Sequence, residues 1–270
     1  MAKVRALVVA GNGTNCELET AYACTKAGAH TQVAPIWDLM AGDVRLRDFQ
    51  LLCLPGGFMD GDDLGAARAG ANRYRYAKIA GGENRLWDEV QRFVFDEKLI
   101  IGICNGFQLM VKLGLLPQLN PVEPRQAVTL TFNDSGRFED RWVRLVVDPD
   151  SPCVFTRGLS RLDLPVRHGE GKLVTPSAHD LWDLEQRWLI PIRYADHKSG
   201  KPTEKYPDNP NGSPRGAAGI CDPTGRLFGL MPHPEAYIHP TNHPQWNRSR
   251  SLPEHGEGLA IFVNAVSYLS

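Results

Sequence analysis

LIIGICNGFQLMVKLG, Leu99 to Gly114, begins as an unbroken apolar run and changes at Cys104 into a pattern with Phe107, Met110 and Val111 on one helical face. A strand that is apolar on both sides belongs in a parallel sheet covered above and below, so this segment alone points to an α/β architecture. Its junction, Gly102-x-Cys104-x-Gly106, has the layout of a nucleophile elbow with cysteine in place of serine. In that layout a sharp turn lifts the side chain above the sheet, and the N-terminus of the next helix favours thiolate over thiol. Gln108 falls one turn later on the same face, in reach of whatever the sulfur attacks. By itself GxCxG describes a buried structural cysteine equally well, so the reading needs further elements.

Upstream, Val4 to Ala10 is a β-branched apolar run, followed by GNGTN and a helical pattern over Glu17 to Lys26 that closes at Gly28. Thr14 and Glu17 have capping-box spacing. Further strands fit Thr31 to Ile36 and Phe49 to Leu54, a helix fits Trp87 to Phe95, and Lys98 to Ile103 is the strand that enters the elbow. After Pro117 the texture shifts to shorter extended pieces, Val143 to Val147, Leu189 to Tyr194 and Leu227 to Met231, and Gly256 to Leu269 reads as a closing amphipathic helix. The fold expected is a mostly parallel central sheet with helices on both faces plus a smaller mixed or antiparallel sheet, all within one domain over residues 1–270. Asp60 to Glu83 and Asp196 to Arg215 are so rich in Gly, Pro, Asn and charge that they predict extended surface loops.

Two more segments belong with the elbow. Pro55 to Phe58, PGGF, ends the third predicted strand, and its adjacent glycines expose backbone N–H groups where parallel strands deliver their ligands. With the N–H of Asn105 directly after the cysteine, such donors suit an oxyanion hole. Met231 to Glu235, MPHPE, follows an apolar run; in an extended segment His233 and Glu235 point the same way, so the carboxylate can fix the tautomer of the imidazole. That imidazole is then the proton donor a leaving amine requires.

Composition removes other function classes. Thirty Lys plus Arg against 31 Asp plus Glu give a net charge of -1, which offers no footprint for nucleic acid or an anionic membrane. No apolar stretch approaches the roughly 18 residues of a membrane span, and MAKVRALVVAG lacks a signal peptide's length and cleavage site, so a cytoplasmic protein is expected. Cys16, Cys24, Cys53, Cys104, Cys153 and Cys221 form no CxxC pair, which argues against a disulfide framework and a thiolate zinc site; most read as small buried hydrophobes. His239 and His243 have i,i+4 spacing, but Pro240 and Pro244 argue against a helix there, so they read as loop residues packed down by Trp246, and no metal site is expected. Asn72 to Lys78, NRYRYAK, reads as a solvated face or a contact for a partner's acidic surface.

In this order PGGF, GICNGFQ and MPHPE resemble the class I glutamine amidotransferases, and more narrowly the glutaminase subunit or domain of phosphoribosylformylglycinamidine synthases. GNGTNCE, GGFMDGDDLGAARAGA, NDSGRFEDRWV, VRHGEGK and YPDNPNGSPRGAAGI carry the same likeness over most of the chain. The resemblance implies a triad of Cys104, His233 and Glu235, an oxyanion hole at Gly57 and Asn105, and glutamine contacts from Gly56, Phe58, Gln108, Gly169 and Glu170. It further implies that ammonia passes to a synthetase subunit that converts formylglycinamide ribonucleotide to its amidine, with a small bridging subunit as an open question. ATP and magnesium would sit on that partner, since GxxxxGK[ST] is absent here and GNGTNC lacks the third glycine of a dinucleotide fingerprint. Asp60 to Glu83 and Asp196 to Arg215 are the candidate docking loops. Two other readings stay open: a different cysteine hydrolase on this scaffold, such as a γ-glutamyl hydrolase or peptidase, and a non-catalytic regulatory module.

Overall fold

The computed structural model describes residues 3–119, 124–248 and 251–270. The chain runs β1 (Arg5–Ala10), α1 (Glu17–Lys26), β2 (His30–Pro35), α2 (Ile36–Ala41), β3 (Leu51–Leu54), α3 (Arg68–Tyr76), α4 (Leu86–Phe95), β4 (Leu99–Ile103) and α5 (Asn105–Leu113). It continues through β5 (Thr129–Phe132), β6 (Glu139–Val147), β7 (Arg161–His168), β8 (Glu170–Val174), α6 (Ala178–Gln186), β9 (Ile192–Ala195), β10 (Ala217–Cys221), β11 (Leu227–Leu230) and α7 (Leu259–Leu269). Nine strands form one sheet in the order β2-β1-β3-β4-β11-β10-β9-β6-β7, and β5 pairs with β8 in a second, antiparallel sheet.

From β2 to β11 every pairing is parallel; from β11 to β7 every pairing is antiparallel. Every residue of β3, β4 and β11 is buried, which a strand achieves only with both faces covered. α1 packs with α7, while α3 packs with α4 and α5. The antiparallel strands expected after Pro117 thus mostly extend the central sheet, and only β5 and β8 stand apart.

The segment 60–83 is not an extended loop. α3 occupies Arg68–Tyr76 and buries Ala71 and Tyr74 on one face, a helical spacing that the glycines and charges of the segment obscured. The two arginines of NRYRYAK are engaged within the molecule, while Lys78 stays exposed and pairs with Glu83. Arg73 pairs with Asp60 at 2.7 Å and lies over Trp37, and Arg75 donates to the carbonyls of Lys112 and Leu113 at the end of α5. The segment 196–215 does lack regular strands and α-helices, yet Asn209, Asn211 and Ser213 are buried in it, and Asn211 Nδ2 bonds Gly171 O and Tyr194 Oη. The expected capping box at α1 is absent: Thr14 Oγ1 donates to Gly11 O at 2.9 Å, and Cys16 takes the N-cap position.

Candidate active site

Because β3, β4 and β11 are neighbours and parallel, the segments that follow them emerge at one edge of the sheet. PGGF, Cys104 and MPHPE are those segments, so three pieces far apart in sequence meet through topology alone. Cys104 has φ 51° and ψ -105°, a strained conformation for a residue with a side chain. Cys104 N–H donates to Leu230 O at 2.8 Å, tying the elbow to the end of β11. The flanking glycines are required by close approach: a Cβ on Gly106 would run into the Leu54 carbonyl, and one on Gly102 would lie 2.6 Å from Gly106 O and Met110 Sδ.

His233 N–H donates to Pro165 O on β7, and His233 Nδ1 lies 2.6 Å from Glu235 Oε1 with both side chains buried. Burial works against charge on this imidazole, but Glu235, followed by Cys104, outweighs it and holds the pKa well above the usual histidine range. His233 Nε2 and Glu235 Oε2 are buried without a hydrogen-bond partner among the described residues. The side chains close around Gly56: a Cβ there would lie 2.8 Å from His233 Cε1 and 3.5 Å from Cys104 Cβ and from Cys16 Sγ. Gly56 therefore backs the Cys104–His233 cluster and does not line the substrate cavity expected for it.

That cavity holds about 150 Å³ and is walled by Gly57, Phe58, Cys104, Gln108, Gly169 and Glu170, the predicted contacts, and by Asp62, Phe132, Phe138, Arg167 and His168, which were not predicted. A larger cavity of about 660 Å³ near Asp88, Lys98 and Arg226 lies at the opposite ends of β4 and β11, away from this chemistry. PGGF is held by a two-residue ladder to the β1–α1 turn, with Asn15 N–H on Gly56 O at 3.3 Å and Phe58 N–H on Gly13 O at 2.7 Å. Neither bond uses Gly57 N–H. Asn105 opens α5, so its N–H is among those a helix cannot satisfy internally.

The side chain of Asn105 was not foreseen as a structural link. Its Oδ1 accepts from Met59 N–H at 3.1 Å, and its Nδ2 donates to Asp62 and to Gln108 Oε1, which joins the PGGF loop to the elbow helix. Gln108 Nε2 in turn donates to Glu170 O at 2.5 Å. His239 and His243 lie on loop and 3-10 backbone as expected, and neither belongs to a metal-capable cluster among the described residues. Their loop is packed down by Trp142 and Tyr237 against His243; Trp246 is half exposed.

A cysteine on a strand-to-helix elbow, facing a histidine–carboxylate pair at the carboxyl ends of a parallel sheet, is the architecture of the class I glutamine amidotransferases. The chain belongs to the CobB/CobQ-like glutamine amidotransferase family, whose model matches residues 3–269. It is 46% identical to phosphoribosylformylglycinamidine synthase subunit PurQ of Dehalococcoides mccartyi, over 99% of this chain and 98% of the relative. It is 35% identical to human phosphoribosylformylglycinamidine synthase over 97% of this chain, which spans 20% of that longer protein. Among solved structures it superposes on a chain of PurLQS from Thermotoga maritima with a TM-score of 0.70 and 27% identity, covering all of both chains. A glutamine amidotransferase from the same organism shares the fold at a TM-score of 0.51 and 16% identity, over 92% of this chain and 82% of that one.

Proposed function

We propose that the chain is the glutaminase of a phosphoribosylformylglycinamidine synthase, a single domain that releases ammonia from L-glutamine for de novo purine biosynthesis. The observation that carries the mechanism is the strained Cys104 elbow beside the buried His233–Glu235 pair. The Cys104 thiolate attacks the side-chain amide carbonyl of glutamine, and the oxyanion rests on the N–H groups of Gly57 and Asn105. His233, kept protonated by Glu235, gives its proton to the departing nitrogen, which leaves as ammonia. Water then hydrolyses the γ-glutamyl thioester and regenerates the thiol. Gln108, Gly169, Glu170 and Phe58 hold the rest of the substrate.

The ammonia serves a synthetase subunit that converts formylglycinamide ribonucleotide to its amidine, with ATP and magnesium bound there and a small bridging subunit between the two. This chain carries no cofactor of its own in that scheme. No helix among the described residues is long and apolar enough to cross a membrane, the near-neutral charge offers no footprint for nucleic-acid partners, and a cytoplasmic location goes with this biosynthetic role. The test is glutamate release from glutamine by the wild type and Cys104→Ala, with and without the synthetase, ATP and formylglycinamide ribonucleotide. Turnover that the synthetase mixture stimulates and that falls at least about 1000-fold in Cys104→Ala is expected. Full turnover in Cys104→Ala would remove the proposed nucleophile.

A further inference from the structure

Cys16 is a second thiol at this site, and the mechanism has no task for it. Its sulfur lies 3.9 Å from His233 Nδ1, on the side of the ring that faces Glu235, and its thiol donates to Asn15 Oδ1 at 3.1 Å. Cys16 Sγ, a His233 ring nitrogen and a Glu235 oxygen all lie within 4.8 Å of one another, and all three residues are buried. Glu235 Oε2 is a buried carboxylate oxygen with no hydrogen-bond partner among the described residues, so this second oxygen is open to a further partner.

We propose that Cys16, His233 and Glu235 form a site for a borderline-soft divalent cation of the zinc class, and that its occupation switches the enzyme off. The inhibitory half of this inference rests on the glutaminase reading above. Thiolate, imidazole and carboxylate together are the donor set that zinc prefers. With Zn–S near about 2.3 Å and Zn–N near about 2.0 Å, tetrahedral ligation places sulfur and nitrogen roughly 3.5 Å apart, close to the 3.9 Å found here. Nitrogen and oxygen would stand roughly 3.3 Å apart, so the 2.6 Å His233–Glu235 contact must open by about 0.7 Å. The ion takes the place of the proton in that contact, and the Cys16 thiol releases its proton to solvent on binding. The imidazole then loses the hydrogen bond that orients it. Glu235 also forms part of the wall of a cavity of about 500 Å³ shared with Glu19, Tyr22 and Arg167.

The experiment uses Co²⁺ as a spectroscopic probe and Zn²⁺ as inhibitor on the full chain, in the wild type, Cys16→Ser and Cys104→Ser. Serine is a favoured N-cap, and position 16 caps α1, so Cys16→Ser keeps the fold. One Co²⁺ per chain with a thiolate charge-transfer band is expected in the wild type and in Cys104→Ser, and no such band in Cys16→Ser. Cys16→Ser should keep wild-type basal turnover, while the Zn²⁺ concentration for half-inhibition rises at least about ten-fold. A band that survives Cys16→Ser and vanishes in Cys104→Ser, or no band in the wild type, overturns the site. Unchanged zinc sensitivity in an active Cys16→Ser overturns the switch. The cobalt spectrum needs no turnover, so a chain that shows the expected bands but never hydrolyses glutamine would defeat the functional reading and leave the cation site standing.

Discussion

At the scale of single residues, the proposed chemistry depends on how Glu235 sets the charge of His233. Burial disfavours the imidazolium, and the carboxylate 2.6 Å away restores it, so the imidazole keeps its proton well above the usual histidine range. Activity that needs this proton is present at neutral pH and lost as pH rises through the raised pKa. Glu235→Gln keeps the hydrogen bond and removes the charge, so the alkaline limb of the kcat/KM profile should move to lower pH, and kcat should fall by about 10²–10⁴-fold. Initial rates of glutamate release across pH measure both, and an unmoved alkaline limb would assign that limb to another group. Cys104, His233 and Glu235 could be singled out in the sequence because each sits in a short motif whose neighbours have a backbone task. Cys16 was read as a buried hydrophobe because nothing in GNGTNCE shows that its turn packs against a histidine more than 200 residues away.

At the scale of elements, the site is a meeting of strand ends, and its precision comes from glycine at the contact between α5 and β3. Adding one methyl at Gly106 drives a Cβ into the Leu54 carbonyl, which is backbone and cannot swing aside. Gly106→Ala should cost about 1–3 kcal/mol or more, seen as a lower midpoint of urea unfolding, and displace Cys104 enough to abolish turnover. An unchanged midpoint would mean that the elbow helix is free to shift. Elements with strong periodicity were readable: α1 was expected at its observed bounds, and β4 and β11 within one residue. α3 was not, since RAGANRYRY carries a glycine and three arginines whose partners, Asp60, Trp37 and the end of α5, exist only in the folded chain. β7 and β8 were also missed, although Gly169 and Glu170 between and within them had been singled out through the family likeness.

At the scale of the whole molecule, a buried neutral histidine links the fold to pH. Asn133 Nδ2 donates to Arg137 O and His168 O, so Asn133 Oδ1 accepts from Gly171 N–H and from His168 Nδ1–H. That fixes the tautomer and leaves His168 Nε2 buried and unprotonated. Burial, reinforced by the charge on His233, lowers the His168 pKa from 6.5 to about 3. The unfolded chain therefore binds a proton that the folded one refuses, so this contribution to stability is complete above about pH 6.5 and declines by up to about 1.4 kcal/mol per unit as pH falls toward 3. His168→Gln, which does not titrate, should flatten that decline in urea unfolding measured between pH 7 and 4; an equally steep decline would place the acid sensitivity elsewhere. The sequence also indicated a parallel half and a second half of mixed or antiparallel sheet, but not that both join in one nine-stranded sheet, because strand order across β11, β10 and β9 is set by long-range pairing.

The most direct test of the central claim is to quench the enzyme with acid during glutamine turnover and weigh the intact chain and its peptides. The account predicts a γ-glutamyl group on the peptide that holds Cys104, formed by the wild type and absent from Cys104→Ala. A γ-glutamyl group on Cys16 or any other residue, or undiminished glutamate release by a Cys104→Ala chain that carries no adduct, would contradict it.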